Sequence, residues 1–162
     1  LSIFLSFGPL LTLGTGFAIA NETILLYSSE FYNLLILGVP IGLLTTNILF
    51  INQYPDHASD KKVGKNHLVV LLGKKASRWI YALNLILALG SLYFIAVNIL
   101  TGTKQMLFLY MLIPITMFYS YFLLSGLFKY YNSRKLITYN IHTIYFHMFF
   151  SFIYMVILAN FQ

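Results

Sequence analysis

Asn52-Gln53-Tyr54-Pro55-Asp56-His57-Ala58-Ser59-Asp60-Lys61-Lys62-Val63-Gly64-Lys65-Asn66-His67-Leu68-Val69-Val70-Leu71-Leu72-Gly73 is the stretch on which the reading of this chain turns. It holds both aspartates of the protein, with Lys61, Lys62 and Lys65 close behind Asp60; the other acidic residues are Glu22 and Glu30. Long apolar runs lie on both sides. Charge set against hydrocarbon is costly and is usually kept for a function. Asp56 and Asp60 are therefore the first candidates for chemistry, and the runs around them decide the fold.

Working outward, the 162 residues are 59% hydrophobic, 18% aromatic and only 9% charged, with mean hydropathy +0.80. Soluble domains carry about 25% charged residues, so these residues cannot make a water-facing surface. The chain reads as an all-α integral membrane helix bundle. It has no cysteine, which removes disulfide and thiolate chemistry. Leu1 opens inside an apolar run without a charged leader, so no signal peptide is expected there. The expectation is a single transmembrane domain over 1–162, forming the C-terminal part of a longer chain.

Five apolar segments stand out, at about 1–20, 31–51, 79–100, 105–128 and 137–159. At about 1.5 Å per residue, 20–23 residues cross about 30 Å of hydrocarbon. Threading five spans places 52–78 and 129–136 on one side, with nine of the ten basic residues; the other side, with 21–30 and the turn near 101–103, keeps only Lys104. The net charge of +6 is thus a membrane asymmetry, and nucleic acid is not an expected partner. Positive charge stays inside, which predicts a cytoplasmic Asp-rich loop, an outside C-terminus and a multi-pass protein of the cell (inner) membrane.

Within the first span, Gly8, Thr12 and Gly16 recur every four residues and predict a small face for close helix packing. Asn66–Leu72 reads as a short interfacial helix ending at Gly73. Lys74, Lys75 and Arg78, beside Trp79 and Tyr81, read as anchors to anionic headgroups. His57 and His67 read as exposed loop residues. In the last span His142 and His147 are five apart, a poor spacing for one metal, and with Asn140 they read as polar groups facing the bundle.

Asn52, Asp56 and Asp60 are spaced four apart, so a helix stacks them on one face. Pro55 is expected to interrupt that helix and kink it toward a cavity. Mg2+ is a hard cation that takes one or two carboxylates and completes its octahedron with water and phosphate oxygens. Asp56 and Asp60 suit that role, and the lysines behind them suit the remaining charge of a diphosphate.

From Gly38-Val39-Pro40-Ile41-Gly42 through Asn52, Pro55-Asp56, Asp60-Lys61 and Gly64-Lys65 to Leu68-Val69-Val70 and Leu72-Gly73, the chain resembles the second aspartate-rich motif of the UbiA superfamily of membrane prenyltransferases. The Gly8-Pro9-Leu10 to Gly14-Thr15 run is similar to that of the 1,4-dihydroxy-2-naphthoate branch. The resemblance implies nine helices in two halves, of which the five spans here are the fifth to the ninth. It implies an upstream half carrying the first Asp-rich motif, which this chain lacks.

The implied activity is transfer of a polyprenyl group from its diphosphate to an aromatic or quinone-precursor acceptor, here dihydroxynaphthoate in menaquinone biosynthesis. Asp56 and Asp60 would be catalytic and hold Mg2+; Asn52, Tyr54, Lys61, Lys62 and Lys65 would contact substrate. Tyr54 would shield a developing cation with its ring. The chain departs from the family pattern at Gln53, Ser59, Asn66, His67 and Leu71. Those departures leave an alternative open, a non-catalytic lipid-binding or transport subunit reusing half the fold. A CDP-alcohol transferase fits less well, since its additional aspartates are not present.

Overall fold

A computed structural model describes residues 1–20, 26–100 and 102–159. Glu22, most of the loop around it, Thr101 and residues 160–162 lie outside the described residues. All regular structure among the described residues is helical: α1 Ser2–Phe7, α2 Pro9–Ile19, α3 Ser29–Lys62, α4 Leu68–Asn98, α5 Thr103–Tyr130 and α6 Leu136–Ala159. Taking α1 and α2 as one segment, five are long and apolar enough to cross a membrane, matching the number of spans expected.

The first span is two helices rather than one. Gly8 takes a non-helical conformation (φ −120°, ψ −103°) and Pro9 opens α2 at its first turn, where a proline has no hydrogen bond to lose. The small face serves packing, as its spacing implied. A Cβ on Gly8 would stand 2.6 Å from the Gly38 carbonyl oxygen and 2.8 Å from Gly42 Cα. Only a hydrogen fits there, and it lets the Gly8 break lie directly on the α3 backbone.

α3 is the hub: it packs against α1, α2, α4 and α6, while α5 closes the bundle between α4 and α6. Its start is capped by Ser28 Oγ, which accepts the Phe31 N–H at 3.2 Å. Its 34 residues extend about 51 Å, about 20 Å more than the hydrocarbon requires. The helix continues without a break past residue 51 to Lys62. Pro55 does not interrupt it, contrary to the expectation from sequence. A proline removes one ladder bond at a cost of about 3 kcal/mol. The wholly buried Ile51 and Tyr54 on either side of the missing bond hold the helix in place.

The loop expected over 52–78 consequently shrinks to residues 63–67. The interfacial helix is present but starts at Leu68, and Gly73 (φ 77°, ψ 157°) breaks it from the long span that follows. Inside the bundle, Leu85, Leu92 and Ile95 of α4 pack with Leu109, Leu123 and Leu127 of α5 and Phe150 of α6.

Lipid cannot satisfy polar groups, so those in the bundle pair across helices. Asn84 Nδ2 donates to Asn47 Oδ1 at 2.8 Å, and Asn47 Nδ2 donates to the Tyr81 carbonyl at 3.1 Å. Thr143 Oγ1 donates to the Tyr139 carbonyl, so the Tyr81 hydroxyl 2.8 Å away donates to Thr143. These bonds join α3, α4 and α6. His147 Nε2 meets Thr45 Oγ1 at 2.9 Å and His142 Nδ1 meets the Tyr119 hydroxyl at 2.8 Å. The two histidines face the bundle, as expected, each toward a different helix.

Candidate functional site

The C-terminal end of α3 carries both aspartates. Asn52 and Asp56 are exposed, and Asp60 on the same helical row is 8% exposed. Gly64 (φ 73°) ends the helix in the left-handed conformation that favours glycine. The Lys65 N–H then donates to the Asp60 carbonyl at 3.0 Å and the Gly64 N–H to the Lys61 carbonyl at 3.4 Å. That double bond pattern is a Schellman cap. It folds the chain back over the last turn of α3, so residues five and seven positions beyond Asp60 return to it.

Lys65 Nζ donates to Asp60 Oδ1 at 2.7 Å, and His67 Nε2 lies 2.9 Å from Asp60 Oδ2. The hydrogen bonds from Lys65 and then His67 hold the Asp60 carboxyl below the usual carboxylate range. The same contact raises the Lys65 ammonium, and the Asp56 charge adds to that rise. Asp56, Asp60, Lys65 and His67 are thus one electrostatic cluster. Lys61 and Lys62 are exposed in the last turn of α3, where positive charge suits the helix dipole.

Tyr54 stands apart. At about 100° per residue it lies roughly 200° around α3 from Asn52 and Asp56, wholly buried and edge-packed on Phe50 at a ring separation of 6.2 Å. Its ring is turned into the bundle, away from the Asn52 and Asp56 face. His67, expected as an exposed loop residue, is instead half-buried and caps α4: its Nδ1 accepts the Val70 N–H at 3.4 Å. The position before an apolar helical run was the only hint, and histidine is not a residue that signals a cap.

The family model of the UbiA prenyltransferase family matches residues 1–153, which takes in the Asp-rich turn and the bundle beneath it. The chain belongs to the UbiA prenyltransferase family. Comparison with curated proteins finds no match, and comparison with solved structures finds none. As a UbiA member the chain is a multi-pass membrane protein of a prenyltransferase family.

The carboxylates are of the donor type that Mg2+ takes. Two carboxylates four residues apart on continuous helix supply hard oxygen ligands, and Asp60 keeps free lone pairs after Lys65 and His67 take one each. Among the described residues no three acidic, histidine or cysteine side chains gather into a cage. An ion here would have two protein ligands, with the rest of its shell from water and phosphate, the pattern of Mg2+ in phosphate chemistry.

Proposed function

We propose that this chain transfers a polyprenyl group from its diphosphate to an aromatic quinone precursor, 1,4-dihydroxy-2-naphthoate in menaquinone biosynthesis. The reading rests on one observation: a UbiA chain whose Asp56 and Asp60 lie along a single helical row near the end of α3, with Lys65 anchored on Asp60.

Asp56 and Asp60 are the residues that hold Mg2+. The ion supplies Lewis-acid stabilisation of charge on a departing diphosphate. Asp56 meets the ligand from the exposed face, and Asp60 is kept ionised and aimed by Lys65 and His67. Lys61, Lys62 and Lys65 present three ammonium groups at the same helix end and offset the phosphate charge that carboxylates alone would repel. Asn52, one turn below Asp56, offers an amide donor and acceptor to the substrate. The apolar helices beneath the cluster receive the prenyl tail and keep water from the reacting carbon, which hydrolysis would otherwise consume. An upstream half with the first Asp-rich motif completes the site, and the Asp-rich end faces the cytoplasm of the inner membrane.

The test is Asp56→Asn and Asp60→Asn in the full-length protein, assayed for prenyl transfer and for binding of a prenyl diphosphate with and without Mg2+. Loss of metal-dependent binding and turnover in both supports the site. Metal-independent binding in the unmodified protein favours the lipid-binding scaffold instead.

A further inference from the structure

A second recess opens at the same end of the bundle, on the other side of α3. It encloses about 490 Å³ between Tyr54 and Pro55 of α3, Lys74 of α4, Tyr131 and Arg134 of the turn before α6, and Leu136 at the start of α6. That is the size of a small-molecule site. Two cations line it and no acidic residue does. Among the described residues both ion pairs use Asp60, so neither Lys74 nor Arg134 has a carboxylate partner.

The Tyr54 hydroxyl is buried and, among the described residues, has no hydrogen-bond partner. A buried hydroxyl left unpaired is an exception that calls for a reason. Arg78 stands behind this wall: its guanidinium lies 4.1 Å from the Tyr131 ring centroid and 4.6 Å from that of Phe128, and Nη1 donates to the Phe128 carbonyl at 3.1 Å. Its positive charge acts on Tyr54 as well.

We infer that this recess binds the phosphate group of an anionic ligand. Arg134 offers the planar fork that fits phosphate oxygens, and Lys74 adds a mobile point charge. The Tyr54 O–H donates the bond it lacks inside the protein. Pro55, Leu136 and the Tyr131 ring form an apolar wall for the carbon skeleton next to the phosphate. Two sources present this chemistry at a membrane surface, the headgroup of an anionic phospholipid and free inorganic phosphate. The site is separate from the Asp56 face, which α3 turns the opposite way, and it does not depend on prenyl transfer.

The intact protein in neutral detergent is titrated with phosphatidylglycerol by native mass spectrometry, with phosphatidylcholine as the neutral control, and with inorganic phosphate by calorimetry. The Lys74→Gln/Arg134→Gln double variant is expected to weaken binding of a phosphate-bearing probe by tenfold or more, since hydrogen bonds to charged groups are each worth about one decade. Tyr54→Phe is expected to weaken it about threefold to tenfold; it deletes an unpartnered hydroxyl, so it breaks no internal bond and stands in if the double variant fails to fold. Asp56→Asn leaves binding no weaker. Phosphatidylglycerol alone responding assigns a lipid headgroup, phosphate alone a soluble anion, and both a site that reads the phosphate itself. The inference is overturned if neither probe binds, if binding ignores Tyr54, Lys74 and Arg134, or if Asp56→Asn weakens it as much.

Discussion

His67 bridges two helices through one ring: Nε2 is 2.9 Å from Asp60 Oδ2 at the end of α3, and Nδ1 accepts the Val70 N–H at the start of α4. Because Nδ1 accepts, the ring hydrogen sits on Nε2 and points at the carboxylate. A neutral imidazole therefore completes both bonds, and no protonation is needed. His67→Ala removes the cap and one of the two partners of Asp60. Loss of a side-chain helix cap costs about 0.5–2 kcal/mol. The unfolding midpoint in detergent should fall accordingly, with His67→Asn, which keeps a capping acceptor, recovering part of it.

Acid should weaken the same turn. The folded-state pKa of Asp60 is lowered, chiefly by Lys65 and then by His67. Its contribution to stability is therefore complete above the ordinary carboxylate pKa of about 4 and disappears as the pH falls through the lowered value. Unfolding measured as the pH is lowered from about 5 through the acid range below 4 should show this loss, and Lys65→Met should flatten it. An equal acid response in both proteins would refute the pairing.

Gly8 and Gly14 lie in the same apolar span but should respond oppositely to alanine. A Cβ on Gly8 meets the backbone of α3 at Gly38 and Gly42, whereas one on Gly14 finds nothing within 4 Å. Backbone cannot move aside as a flexible side chain can. Gly8→Ala should cost about 1–3 kcal/mol as an overpacked contact; Gly14→Ala should be neutral or slightly stabilising through helix propensity. Thermal unfolding of the two variants side by side checks the contrast.

The Asn47–Asn84 pair clamps α3 to α4 beneath the acidic turn. Asn47→Ala removes the buried partner of the half-buried Asn84 amide and of the Tyr81 carbonyl, an expected loss of about 1–3 kcal/mol. A double-mutant cycle with Asn84→Ala should return a coupling of about 0.6–2 kcal/mol, the range of interhelical hydrogen bonds in membranes. Additive effects would mean that the two amides act independently.

Much of this was legible in residue order. Apolar runs of membrane length give the helices because lipid leaves the backbone no other partner, and the basic residues mark one end of the bundle. The four-residue spacing of Asn52, Asp56 and Asp60 is a property of the helix itself, so their shared row followed at once. Pro55 misled, because a proline reports a local cost, while the burial of Ile51 and Tyr54 that offsets it depends on the packing of α3 against other helices.

Composition and spacing determined the class of fold, the number of spans and the identity of the acidic residues, since those depend on periodicity and transfer energy along one chain. Only the tertiary structure decided that His67 returns to Asp60, that Tyr54 faces away from Asp56, and that Lys74 and Arg134, 60 positions apart in the sequence, share one recess. Those relations depend on how a Schellman turn and the packing of separate helices aim side chains in space, and residue order does not carry that direction.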